Sequence, residues 1–163
     1  RLIEAVLSGG MSSRLFQKMR DEMGICYYVQ AENDASTDHG VFSVSAGVDS
    51  KRVKEGITAI LYEFKRMKTG LVLKEELDKA KQYLIGNLYL GLESSNSMAG
   101  FYGYQEVLRK EIKKPEDVVK EIKAVTAEEI KFVAERIFKN EGLNLSIVGK
   151  FKDKKEFLEI LKI

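Results

Sequence analysis

Few side chains in this 163-residue sequence have the type and spacing to do chemistry. Its one histidine, His39, and its one cysteine, Cys26, are the first candidates for metal ligation or nucleophilic attack. A catalytic zinc needs about three protein ligands drawn from His, Cys, Asp and Glu. Neither H-E-x-x-H nor its inversion H-x-x-E-H occurs here. His39 stands between Asp38 and Gly40 in turn-forming sequence, the setting of a turn residue rather than a ligand. Cys26 opens an apolar run, where a thiol is ordinarily buried and inert. The sequence leaves a Cys26 and His39 nucleophile pair open, but it gives this chain no zinc site of its own.

A second constellation is made of donors. Arg20 and Tyr27 lie seven positions apart across Gly24, where a helical segment with a charged turn hands over to a strand. A guanidinium and a phenol brought to one sheet edge supply fixed donors suited to a peptide carbonyl. The pattern equally admits a plainer reading, in which Arg20 pairs with Asp21, Glu22 or another surface carboxylate and Tyr27 only packs. Gly9-Gly10-Met11-Ser12-Ser13-Arg14 lacks the Gly-Lys-Ser/Thr ending of a phosphate loop and reads as a helix break. Phe101, Tyr102 and Tyr104 have helical spacing and read as core with partly exposed hydroxyls.

The elements that must position these residues follow from periodicity. Leu2 to Met23 reads as two helical pieces around the glycine-serine bend, the second capped by Ser12 or Ser13 and stopped by Gly24. Ile25 to Glu32 and Val41 to Val48 read as strands joined by turn chemistry over Asn33 to Gly40, hence an antiparallel hairpin. The second strand alternates Phe42, Val44, Ala46 and Val48 with small polar residues, so helices cover one face only. Helical stripes follow: Val53 to Phe64 with a stop near Thr69-Gly70, Leu77 to Leu88, and Ser95 to Arg109. Pro115 suits the first turn of a helix carrying Val118, Val119 and Ile122, and Thr126 with Glu129 forms a capping box for the next. Leu143 to Val148 reads as a third strand and Lys152 to Leu161 as a last short helix. The fold expected is α+β, a two-layer sandwich of mainly antiparallel sheet with helices packed on one face. Three strands are few for so many helices, and a further strand before Arg1 would complete the sheet.

Composition narrows the function classes. The length suits one domain, residues 1–163, and 44% hydrophobic with 32% charged residues excludes a disordered chain. Lys+Arg 27 against Asp+Glu 25 leaves a formal net charge of +2, which argues against a nucleic-acid partner. No apolar run approaches the roughly 20 residues that cross a bilayer, so no membrane partner is expected. A lone cysteine points to a reducing, cytoplasmic setting.

The block Gly9-Gly10-Met11-Ser12-Ser13-Arg14-Leu15-Phe16, followed by Arg20 and Gly24-Ile25-Cys26-Tyr27, resembles that of the insulinase/pitrilysin (inverzincin) metallopeptidases, which include mitochondrial and bacterial processing peptidases. The hairpin, the long helices, Leu92-Glu93-Ser94-Ser95 and the late Val148-Gly149-Lys150 follow the family's domain in order. The resemblance implies the zinc-less, C-terminal type of domain, the substrate-binding half of a zinc endopeptidase. Zinc would sit in a zinc-bearing N-terminal domain or partner subunit, with none bound by this chain, which alone would be inactive. It also implies that Arg20 and Tyr27 bind a peptide substrate, with no catalytic residue of this chain's own. The resemblance further implies that the two halves face each other across a closed chamber, and by strand parity Ser43 and Ser45, on the uncovered face of the hairpin, would line it. By the same resemblance the family's first strand would lie before Arg1. A non-catalytic scaffold of the same fold is the alternative reading, and an interaction module pairing through an open sheet edge, as a homodimer or with extended peptides, is a third.

Overall fold

The computed structural model describes residues 1–109, 111–151 and 153–163. It is α+β, with helices packed on one face of an antiparallel hairpin. Helix α1 (Leu2–Ser8) buries Ile3, Ala5, Val6 and Leu7 and runs into the Gly9-Gly10 bend. Both glycines are required there: a Cβ on Gly9 would lie 2.4 Å from the Ala5 carbonyl oxygen, and Gly10 has φ +95°. The chain then enters a π-helix, Phe16–Glu22, whose last turn closes with the Met23 N–H on the Lys18 carbonyl, five residues back. Gly24, at φ +58°, stops it as expected, and the Ile25 N–H returns to the Met19 carbonyl.

The cap expected from Ser12 or Ser13 does not form. The backbone carbonyl of Ser13, not its hydroxyl, accepts the Gln17 N–H at 3.0 Å, and the buried Ser13 hydroxyl has no partner among the described residues. Leu15 is already in helical conformation. Ser13 thus stands where the first i→i+4 bond begins, but its hydroxyl accepts none of the early helical N–H groups among the described residues.

Strands β1 (Cys26–Ala35) and β2 (Gly40–Val48) pair antiparallel, from Ala35 opposite Gly40 to Cys26 opposite Val48. β1 runs three residues further than expected, because Asn33, Asp34 and Ala35 continue the ladder before a turn closed by the Ser36 N–H on the His39 carbonyl. One face packs on the core through Val29, Ala31, Val44 and Ala46. The other carries Gln30 and Glu32 opposite Ser45 and Ser43. Ser8 ties α1 to β1, accepting from the Ala31 N–H at 2.8 Å and donating to its carbonyl at 3.3 Å.

Behind the hairpin lie α2 (Val53–Thr69) and α3 (Lys74–Gly91), then α4 (Ser95–Leu108), α5 (Pro115–Ala124), α6 (Ala127–Ile137) and a short α7 (Lys155–Leu158). Pro115 takes the first turn of α5, and Thr126 with Glu129 closes the capping box of α6 at 2.8 and 3.2 Å. Phe64 stacks on Phe138 at 4.2 Å and both meet Phe42 edge-on, at 6.1 and 5.3 Å, joining β2, α2 and the end of α6 in one core.

Leu143 to Val148 is not a strand. A strand needs a neighbouring ladder for its N–H and C=O groups, and none of the described residues offers one. Leu143 and Ile147 instead rest on the core from an irregular segment, after a single turn at Asn140–Gly142. The last helix spans four residues, and the expected start at Lys152 lies outside the described residues.

Candidate functional site

Arg20 and Tyr27 both sit on irregular backbone. Opening the helix to i→i+5 bonding puts more than four residues in each turn, so side chains four apart fall nearly in line. In this π-helix Leu15 and Met19 face the core together, Gln17 bonds Asp21 at 2.9 Å, and Lys18 bonds Glu22 at 2.7 Å. The remaining pair is Phe16 and Arg20, whose guanidinium lies 5.0 Å over the ring. The acidic neighbours expected to neutralise Arg20 are thus taken by Gln17 and Lys18. Among the described residues Arg20 makes no ion pair, and its side chain is exposed.

Tyr27 is the extra residue of a β-bulge. Cys26 pairs with Val48 and Tyr28 with the adjacent Gly47, leaving Tyr27 without a partner. Without the bulge Cys26 and Tyr28 would share a face. With it, Cys26 turns onto the core, while the Tyr28 ring covers Gly47 so closely that a Cβ there would lie 2.6 Å from it. The Tyr27 ring is 84% exposed. The π-helix packs against β1. Burial pushes the Cys26 thiol up, while the Arg20 charge pulls it the other way. The Ile25 N–H on the Met19 carbonyl at 2.9 Å holds the turn that carries Arg20 against the start of β1. No hydrogen bond joins Arg20 to Tyr27 among the described residues.

The other candidates separate. Cys26 begins β1 and His39 lies in the turn beyond its end, so about 30 Å of strand, at roughly 3.3 Å per residue, parts them. This removes the nucleophile pair that the sequence left open. His39 bonds its neighbour Asp38 at 2.7 Å in the exposed turn, and no group of three or more His, Cys, Asp or Glu able to hold a metal occurs among the described residues. A zinc ion does not fit this donor set. Ser45 is exposed and Ser43 half-buried, on the uncovered face as expected. A groove of about 680 Å³ opens on the helical side, lined by Leu84, Leu88, Val118, Ile122 and Val133, away from Arg20 and Tyr27.

Sequence reasoning missed the anchorage of the π-helix. Arg14, read as part of a helix break, is buried, its side chain 8% exposed, and forks onto Glu76 with two bonds of 2.8 Å. Glu63 of α2, 2% exposed, lies 3.7 Å from Arg14 and accepts from Arg66 at 2.9 Å. The hydrogen bond from Arg14 holds the Glu76 carboxyl below the ordinary carboxylate range, against the opposing effect of burial. Glu63 stands one position off the apolar stripe of α2, which was the available signal.

The hairpin is thus backed on one face by helices, with Arg20 exposed and Tyr27 bulged outward near one end. The model of the peptidase M16 inactive domain matches residues 1–84, and the chain belongs to that family. An uncharacterized zinc protease of Bacillus subtilis is 29% identical over 91% of this chain and 36% of its own length. The peptidase M16 inactive domain from Pseudomonas fluorescens superposes with a TM-score of 0.75 at 20% identity, covering 85% of this chain and 33% of that one. A chain of Complex III2 from Candida albicans superposes at 0.74 with 15% identity, over 83% and 34%. The chain spans about a third of the length of the curated relatives it matches.

Proposed function

We propose that this domain is the substrate-binding, zinc-less half of a zinc metalloendopeptidase that acts on peptides or small unfolded chains. Residues 1–163 form one inactive-type domain, the C-terminal half of a longer zinc protease. A zinc-bearing N-terminal domain or partner subunit faces it and supplies the metal. The observation that carries this reading is the pair of exposed donors at one end of β1: Arg20, unpaired on the π-helix, and Tyr27, turned outward by the bulge. Arg20 and Tyr27 hydrogen-bond the substrate backbone and steady the oxyanion as the carbonyl is attacked. The zinc-protease names of the curated relatives support the parent activity, and the lone Cys26 thiol supports a reducing, cytoplasmic setting. No helix among the described residues is long and apolar enough to cross a membrane.

Tyr27→Phe in the complete protease removes one donor from an exposed ring and tests the reading. Turnover of a quenched peptide is expected to fall about a hundredfold or more, the scale of one lost oxyanion donor, with zinc content and melting temperature unchanged. Unaltered turnover refutes the assignment of Tyr27. A non-catalytic scaffold or assembly subunit of the same fold is the reading left if Arg20→Ala is equally silent.

A further inference from the structure

Two arginines far apart in the sequence grip the two ends of the π-helix. At its entry Arg14 forks onto Glu76 at the start of α3, while its Nη1 lies 3.7 Å from Glu63 and 3.5 Å from the Met67 sulfur on α2. At its exit Arg52, immediately before α2, donates through Nη1 to the Met23 carbonyl at 2.9 Å. Glu55 holds the same guanidinium through Nε and Nη2 at 2.6 to 3.1 Å. Met23 is the residue whose N–H closes the last i→i+5 bond, and the Asp49 N–H fixes the following Ile25 carbonyl at 3.2 Å. Buried Leu15 and Met19 hold the inner face between these two grips.

A run of i→i+5 bonding is uncommon, and sparsely populated backbone persists only where its surroundings over-determine it. Relaxation to ordinary α-helical winding would change the rotation accumulated between buried Leu15 and Arg20, turning Arg20, together with the Phe16 ring four residues before it, around the axis and away from the β1 end that presents Tyr27. We propose that Arg14 and Arg52 are positioning residues that hold the π-helix wound and so aim Arg20 at the substrate. The proposal rests on the reading of Arg20 as a substrate donor, and its test separates the two. Neither arginine touches substrate. Both act through the backbone, and their partners Glu76, Glu63 and Glu55 share the task.

The test is a double-mutant cycle in the complete protease, with Arg52→Ala as the working variant because Arg52 lies at the surface. Arg52→Ala is expected to lower kcat/KM for a peptide about tenfold, the scale of one hydrogen bond involving a charged group. In an Arg20→Ala background the same change should have no further effect. Native-state hydrogen exchange supplies a readout independent of activity: amides of 19–25 should exchange faster in Arg52→Ala while those of α2, α3 and α6 stay as protected as before. An Arg52→Ala effect that persists in full beside Arg20→Ala, or exchange that rises throughout the core, shows a general structural role and overturns the proposal. Unchanged exchange at 19–25 also overturns it. If Arg20→Ala leaves kcat/KM unaltered, the substrate reading of Arg20 falls, and the aiming role of the two arginines falls with it. Glu76→Gln, which keeps the shape of the entry grip, repeats the exchange measurement at the other end.

Discussion

Arg14→Met isolates the buried ion pair on which the entry to the π-helix rests. The substitution keeps the length of the side chain but removes two charge-assisted bonds of 2.8 Å to Glu76 and the 3.7 Å approach to Glu63. Hydrogen bonds to charged groups contribute about 1.5–3 kcal/mol each, and removing one partner of a fully buried pair costs about 3–5 kcal/mol. The cost here falls below the sum, because Glu76 is 30% exposed and can rehydrate, and Glu63 keeps Arg66. A loss of about 3 kcal/mol is expected, which for a domain of this size lowers the melting temperature by about 6–12 °C. The pH dependence follows from Glu76. Its carboxyl is held below the ordinary range when folded, so its contribution is complete above the unfolded carboxylate pKa, near about 4.3. That contribution is lost as pH falls through the lower folded value. Thermal unfolding followed by circular dichroism should therefore show the deficit of Arg14→Met in full at neutral pH and shrinking in acid. A deficit of about 2 °C or less at neutral pH, or one independent of pH, would show that the Arg14–Glu76 pair does not anchor this part of the fold.

Other consequences of the packing are open to similar checks. Gly86, inside α3, has open space around a built Cβ, so Gly86→Ala should stabilise by about 0.5–1 kcal/mol. Gly9→Ala, which meets the Ala5 carbonyl at 2.4 Å, should destabilise, and denaturant titration separates the two signs. Phe138→Ala removes the ring stacked at 4.2 Å on Phe64 and should cost about 3–5 kcal/mol in the same titration. Cys26 should alkylate slowly at neutral pH, since burial raises its thiol and the thiolate is the reactive form. Arg20→Ala should slow that reaction further by removing the charge that lowers it, and an unchanged rate would place Arg20 away from β1.

What the sequence made legible was local. Thr126 with Glu129, Pro115 and Gly24 mark their boundaries through bonds that span a few residues, and each does so in the structure. The alternation of Val41 to Val48 fixed which face of the hairpin meets the helices. The features that aim the candidate site were not local. Leu15 with Met19 and Phe16 with Arg20 are spaced by four, which suits an α-helix as well as the wider π turn. The bulge at Tyr27 depends on Cys26 finding Val48 and on the Tyr28 ring covering Gly47, pairings across the hairpin. Arg14 meets Glu76 at a separation of 62 residues, so no window along the chain could have shown it. Leu143 to Val148 carries a strand's pattern, but a strand also needs a neighbour, and pattern alone does not supply one.

The most direct measurement is peptidase activity on a quenched peptide with zinc present, for this domain alone and then mixed with the zinc-bearing half. Silence is expected from the domain alone and activity from the mixture, diminished by Arg20→Ala and by Tyr27→Phe. Hydrolysis by the domain alone would contradict the proposed function, as would silence from the mixture once both halves are shown folded and associated.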